Sequence, residues 1–193
     1  MRQRPTSALG ALLAGTLLCS GCGGSGGTVG SSAKSAFTKA PTIVVKSRAL
    51  PATMPARYTC DGQDISPPLE WGAVPANTGS LALFVEELTP EPATDTYAVS
   101  IAWAIAGLNP GLHSLAAGEL PAGAYAGTNS AGKQDYSICP KKGTRVAYQF
   151  ELYGLPRSAT IARGFPALQV VRELQASPSI SAYGTFTTSY ERG

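Results

Sequence analysis

Apolar and polar positions alternate along this chain in several short runs, separated by proline, glycine and asparagine rather than by long helical stretches. Segment 80–86, Ser-Leu-Ala-Leu-Phe-Val-Glu, is almost continuously apolar and predicts a strand buried on both faces. Segment 97–105 predicts a second strand, and 41–46 a short β-rich run. Residues 146–153 mix alternation with aromatic side chains, and 183–190 alternate Thr, Tyr and Phe as a late strand with one wet face. Pro67-Pro68, Pro90, Pro92, Asn109-Pro110-Gly111, Pro140 and Lys142-Gly143 supply turns between them. One helix is expected: Pro166 suits a first helical turn, Leu168, Val171 and Leu174 recur at three-residue spacing, and Pro178 forbids continuation. Many strands and one late helix predict a mainly β fold, two packed antiparallel sheets forming a β-sandwich with Greek-key connections.

The amino-terminal pattern is different. Arg2 and Arg4 precede an apolar stretch at 8–18 of about 11 residues, too short to span a bilayer and suited to a signal peptide. Ser20-Gly21 before Cys22 places small residues where a lipoprotein signal carries them, and Gly23-Gly24-Ser25-Gly26-Gly27 follows as a tether. This predicts a lipoprotein-type signal peptide at 1–21, acylation of Cys22, a Gly/Ser-rich tether at 22–40 and one domain at 41–193. The expected location is extracytoplasmic, as a cell-membrane lipoprotein; ordinary signal-peptidase cleavage, and hence secretion, is the alternative. Cys19 and Cys22 also form a C-x-x-C, but in a leader rather than at the start of a domain helix, which argues against a redox role.

Charge excludes several partners. Of 15 basic and 12 acidic residues, Arg2 and Arg4 leave with the leader, so the exported chain is almost neutral. It lacks the basic footprint of a nucleic-acid-binding protein, and contact with a membrane is expected only through the lipid anchor. No cofactor or metal site is expected. His113 is the single histidine, Asp61, Asp64 and Glu70 lack the spacing of a calcium loop, and Asp61-Gly62-Gln63-Asp64 reads as turn chemistry. Ser66, Ser80 and Ser137 have no neighbouring base in sequence, and neither a G-x-S-x-G elbow nor a phosphate-binding P-loop occurs. Trp71 and Trp103 sit in apolar strand-like contexts and read as core.

Tyr58-Thr59-Cys60-Asp61-Gly62, then Ser66-Pro67-Pro68-Leu69-Glu70-Trp71, then Ser80-Leu81-Ala82-Leu83 together resemble the phosphatidylethanolamine-binding protein family, in its bacterial Raf-kinase-inhibitor-like branch. Gly127-Thr128-Asn129-Ser130-Ala131-Gly132, Cys139-Pro140, Tyr148, Phe150-Glu151-Leu152-Tyr153 and Tyr190-Glu191-Arg192 continue the resemblance over about residues 42–192. It implies two packed antiparallel sheets with a small anion-binding pocket at one end. In the family that pocket uses an Asp-Pro-Asp segment, a His beside a Trp, a Gly-Pro-Cys-Pro-Pro loop and a His-Arg-Tyr segment. Here Glu87-Leu88-Thr89 stands for the first, Ala102 precedes Trp103, Ser137-Ile138-Cys139-Pro140-Lys141 forms the loop, and Val146-Ala147-Tyr148 ends the set.

The carried-over site is therefore Glu87, Ala102, Trp103, Cys139, Pro140, Lys141, Arg145 and Tyr148, an altered pocket without the two family histidines. Ala102 and Val146 can neither donate to an anion nor gain charge near neutrality. Lys141, Lys142 and Arg145 are either a substitute cation set or a solvated turn. The resemblance also brings Cys60 and Cys139 toward one end of the sandwich, as a disulfide or as two buried thiols. The expected function is a non-catalytic binding protein for a small polar or anionic ligand. The alternative is a protein-interaction module, kinase- or protease-inhibitor-like, acting through loops at 90–96 and 109–120.

Overall fold

A computed structural model describes residues 40–193. The leader, most of the tether and Cys22 lie outside the described residues. Among the described residues, eight strands, one α-helix and a short 3-10 turn follow each other in chain order: β1 Val45–Lys46, β2 Leu69–Trp71, β3 Thr78–Glu91, β4 Thr96–Leu108, β5 Ser114–Leu115, β6 Tyr125–Ala126, β7 Arg145–Pro156, α1 Ala167–Ala176 and β8 Ala182–Glu191, with the 3-10 turn Ala56–Tyr58 between β1 and β2. Two antiparallel sheets result, a five-stranded one in the order β6-β4-β3-β7-β8 and a three-stranded one in the order β1-β2-β5.

The apolar run of β3 explains this layering. Leu81, Ala82, Leu83, Phe84 and Val85 have no exposure at all, so β3 is covered on both sides. On one side Leu81, Leu83 and Val85 meet Leu69, Trp71 and Leu115 of the small sheet. On the other, Ala82 and Phe84 join Ala104, Ala106 and Tyr153 beneath Ala167 and Val171 of α1. Each large side chain withdrawn from water in this way contributes roughly 1.5–3 kcal/mol.

The helix differs in detail from its sequence pattern. Pro166 is the residue before the first helical turn, in extended conformation, and no side chain caps that end. The fully buried stripe is Ala167 and Val171, while Leu168 and Leu174 are partly covered. Ser177 closes the other end through its N–H to the Leu174 carbonyl, one residue before Pro178.

One irregularity shapes the site. Val85 pairs with Trp103 and Glu86 with Ile101, leaving Ala102 unpaired as a β-bulge. Ala102 and Trp103 consequently both face the space between the sheets, whereas Ile101 joins the core under the helix.

Candidate ligand pocket

Downstream of the bulge, Glu87 of β3 pairs with Ser100 of β4 and with Tyr148 of β7, so three side chains stand in a row across one face of the large sheet. Two loops wall them in. The first is organised by Asn129, whose Nδ2 donates to the Ala102 carbonyl at 3.3 Å and to the Asp135 carbonyl at 3.2 Å. Its Oδ1 accepts the N–H groups of Ala131 and Lys133, closing a turn that Gly132 completes with φ of 76°. Ser130 stitches this turn to the bulge: its Oγ accepts the Ile101 N–H at 2.8 Å and its own N–H donates to the Ile101 carbonyl.

The second loop, around 136–140, is fastened to the segment after the 3-10 turn. Asp64 accepts from Ser137 Oγ at 2.8 Å and from the Ile138 N–H at 3.1 Å, Tyr136 Oη donates to the Tyr58 carbonyl, and the Cys60 N–H donates to the Ile138 carbonyl. A disulfide joins Cys60 to Cys139, with Cα atoms 5.2 Å apart. Between the loops and the sheet lies an open cavity of about 350 Å³, lined by Glu87, Ser100, Ile101, Ala102, Asn129, Ser130, Ala131, Ser137 and Cys139.

Of these lining side chains, Glu87 alone is ionisable. Burial raises the pKa of its carboxyl above the usual glutamate range, partly offset by the Thr89 hydroxyl, which donates to it at 3.5 Å, and by the nearby Tyr148 hydroxyl. Tyr148 is itself fully buried, and burial followed by the Glu87 charge drives its phenol well above the ordinary tyrosine range. The two groups act on each other from close by, yet no hydrogen bond of good geometry joins them. Tyr148 Oη is left without a hydrogen-bond partner.

The structure thus brings Glu87, Ala102, Cys139 and Tyr148 together and disperses the rest of the expected set. Trp103 points into the inter-sheet core, edge-on to Tyr136 at 5.6 Å, and lines a neighbouring cleft of about 270 Å³ with Asp64 and Leu120. Pro140 is buried, and its carbonyl accepts from Arg192 Nη1. The substitute cations do not line the cavity. Lys141 is exposed in its turn, and Arg145 lies on the other face of β7 from Tyr148, three residues away in an unbroken strand. Its Nη2 donates to Ser189 Oγ at 3.0 Å. His113 is remote from the cavity too, beside Trp71 and Lys46 at the small sheet.

Sequence reasoning missed the polar lining itself: Ser100, Asn129, Ser130 and Ser137. Asn129-Ser130-Ala131-Gly132 carried the signal, an asparagine followed by a small-residue turn, which is a common way to fix a loop against a sheet.

Two packed antiparallel sheets with a small polar cavity beside the β3–β4 bulge have the architecture of the phosphatidylethanolamine-binding type. The profile of the family described as Phosphatidylethanolamine-binding protein matches residues 45–187, and the chain belongs to this family. It is 34% identical over 139 residues to a Mycobacterium tuberculosis protein named "Putative lipoprotein LppC", the match covering 70% of this chain and 66% of that protein, just under two thirds. It is 38% identical over 108 residues to a UPF0098 protein of Methanothermobacter thermautotrophicus, covering 53% of this chain and 68% of the relative. Among solved structures, a phosphatidylethanolamine-binding protein homologue from Chlamydia trachomatis superposes with a TM-score of 0.67 at 28% identity, over 80% of this chain and all of the other. E. coli YbcL shares the fold, with a TM-score of 0.65 at 24% identity over 78% and 99% of the two chains.

Proposed function

We propose that this chain is a non-catalytic, lipid-anchored, extracytoplasmic binding protein whose pocket takes a small hydroxyl- or amine-bearing molecule rather than a phosphate ester. The observation that carries this reading is Glu87: its carboxyl is the one ionisable group in a cavity whose described lining contains no cation, and the buried Tyr148 is its cross-strand partner. A phosphate entering there meets a carboxylate and hydroxyls, with no positive charge to offset its own. A ligand that donates hydrogen bonds meets an acceptor at Glu87.

Binding rather than catalysis is favoured by how the hydroxyls are used. Ser130 Oγ holds the Ile101 N–H, Ser137 Oγ donates to an Asp64 carboxylate that also fastens the Ile138 N–H, and the one histidine lines a different cleft, so the cavity holds no serine–histidine pair of the kind a hydrolase uses. The anchor rests on the leader and Cys22, with support from the lipoprotein name of the mycobacterial relative. No helix among the described residues is long and apolar enough to cross a membrane. Parallel calorimetric titrations with inorganic phosphate and with a small amino alcohol test the pocket reading.

A second reading, a protein-interaction module, draws on one feature. The pairing of β7 with β3 ends at Leu88, and the β3–β4 hairpin continues alone to Glu91 and Thr96, with Tyr97 near its tip 59% exposed. Two-stranded arms of this kind gain little from packing and suit contact with a partner.

A further inference from the structure

Glu86 and Glu87 are consecutive on β3 and face opposite ways. Glu87 looks into the pocket; Glu86 lies on the helix side, 6% exposed, near Glu151 of β7, which is 1% exposed. Glu151 is richly supplied with donors: Tyr153 Oη at 2.8 Å, Tyr183 Oη at 2.7 Å and Gln149 Nε2 at 2.7 Å. Glu86 has a single side-chain donor. That is Gln175 of the last turn of α1, whose Nε2 donates to Glu86 Oε1 at 2.9 Å and, more weakly, to Glu151 Oε2 at 3.4 Å. One amide from the helix therefore bridges two buried carboxyl groups.

The surroundings do not supply a compensating cation. The three ion pairs among the described residues all lie elsewhere, at Glu70 and Asp61. Arg172 on α1 attracts Glu86 from a distance without forming an ion pair, β4 presents the apolar Ile101 across from it, and β8 contributes Tyr183 to Glu151. The carboxyl end of a helix adds partial negative charge of its own. Two full charges in such a place repel each other in a poorly screened medium, so the pair retains one proton. Burial and the Glu151 charge both favour the protonated form of Glu86, so the proton resides there.

We propose that this shared proton is a latch: while it sits on the Glu86–Glu151 pair, the last turn of α1 rests on two carboxyl groups that carry one charge, and its loss to water leaves two buried anions whose repulsion and need for hydration outweigh the Gln175 bond and release that turn. Burial and the Glu151 charge push the Glu86 pKa up to about 7, which places the release near neutral pH. The sign follows from linkage. A carboxyl whose folded-state pKa is raised binds more proton in the folded than in the unfolded chain, so its contribution is present at acid pH and is lost as pH rises from the usual glutamate range through about 7. The latch is independent of what the pocket binds.

Amide hydrogen exchange across Leu174, Gln175, Ala176 and Ser177 in the full chain, corrected for intrinsic exchange chemistry, tests it between about pH 5.5 and 8.5. Protection of this turn should fall by about tenfold over that range in the native protein. Glu86→Gln, a permanently neutral latch, should keep protection high and flat, while Glu87→Gln should retain the native profile. A flat native profile, or a Glu86→Gln profile that follows the native one, overturns the proposal. Should Glu86→Gln fail to fold, Glu151→Gln provides the second test: removing the neighbouring charge should move the midpoint of release to lower pH, and an unmoved midpoint overturns the latch.

Discussion

Glu87 on β3 and Tyr148 on β7 are cross-strand partners, and the buried hydroxyl of Tyr148 beside that carboxyl makes no hydrogen bond of its own. Leaving a buried hydroxyl unmatched costs about 1–3 kcal/mol. This one stands behind Glu87 rather than in the lining of the cavity, so it bears on a ligand through Glu87 and on the fold directly.

Tyr148→Phe separates those roles. Denaturant unfolding should show the variant to be as stable as the native chain or up to about 1–3 kcal/mol more so, while its response to pocket ligands changes only as far as Glu87 loses a neighbouring hydroxyl. Loss of more than about 1 kcal/mol would show instead that the hydroxyl supports the fold.

The carboxyl terminus offers a pH-dependent counterpart. Tyr190 Oη donates to Asp61 Oδ2 at 2.7 Å and Arg192 Nε to Oδ1 at 3.0 Å, and the tyrosine bond, followed by the arginine, lowers the pKa of the Asp61 carboxyl below its usual range. A depressed carboxyl stabilises the fold above the unfolded-state pKa and loses that contribution as pH falls through the folded-state value. Asp61→Asn should therefore lower the melting temperature at neutral and alkaline pH and flatten the acid side of its profile. An unchanged acid limb would show that the interaction contributes nothing measurable.

Cys60 and Cys139 close a loop of 79 positions. By the chain-entropy argument, replacing both with serine should destabilise the domain by about 3–5 kcal/mol, and exchange should rise first in the loop carrying Ser137 and Ile138. Equal stability of the two forms, or two free thiols by mass spectrometry of the non-reduced protein, would remove the bond from the account.

Cys22 should carry the lipid. Changing it to serine should move the protein from the detergent phase to the aqueous phase on partitioning, and Cys19→Ser should have no such effect. Retention of Cys22→Ser in the detergent phase would point to another means of attachment.

The large sheet was legible because its strands are long enough to show a pattern. Segment 80–86 announced burial on both faces, and the real strand extends it to Thr78–Glu91. Strands β5 and β6 have two residues each, too few for any period, and are specified by the partners they meet. The bulge at Ala102 belongs to the pairing of β3 with β4 and leaves no mark in either strand alone. Arg145 was drawn toward the site by its closeness to Lys141 and Lys142 in sequence, but its odd offset from Tyr148 along one strand sends those two side chains to opposite faces. Glu86 and Glu151, far apart in sequence, became a pair only through the β3–β7 register and the arrival of Gln175 from α1.

The central claim is that this pocket receives hydrogen-bond donors and refuses phosphate. Calorimetry with inorganic phosphate, phosphoethanolamine and ethanolamine, run from about pH 5.5 to 8, addresses it directly. The account predicts no heat from either phosphate and binding of ethanolamine that strengthens as Glu87 ionises and is lost in Glu87→Gln. Tight phosphate binding that fades above neutral pH would contradict it, because the cavity would then have to contain a titrating cation where the structure has Glu87, Ala102 and a ring of hydroxyls.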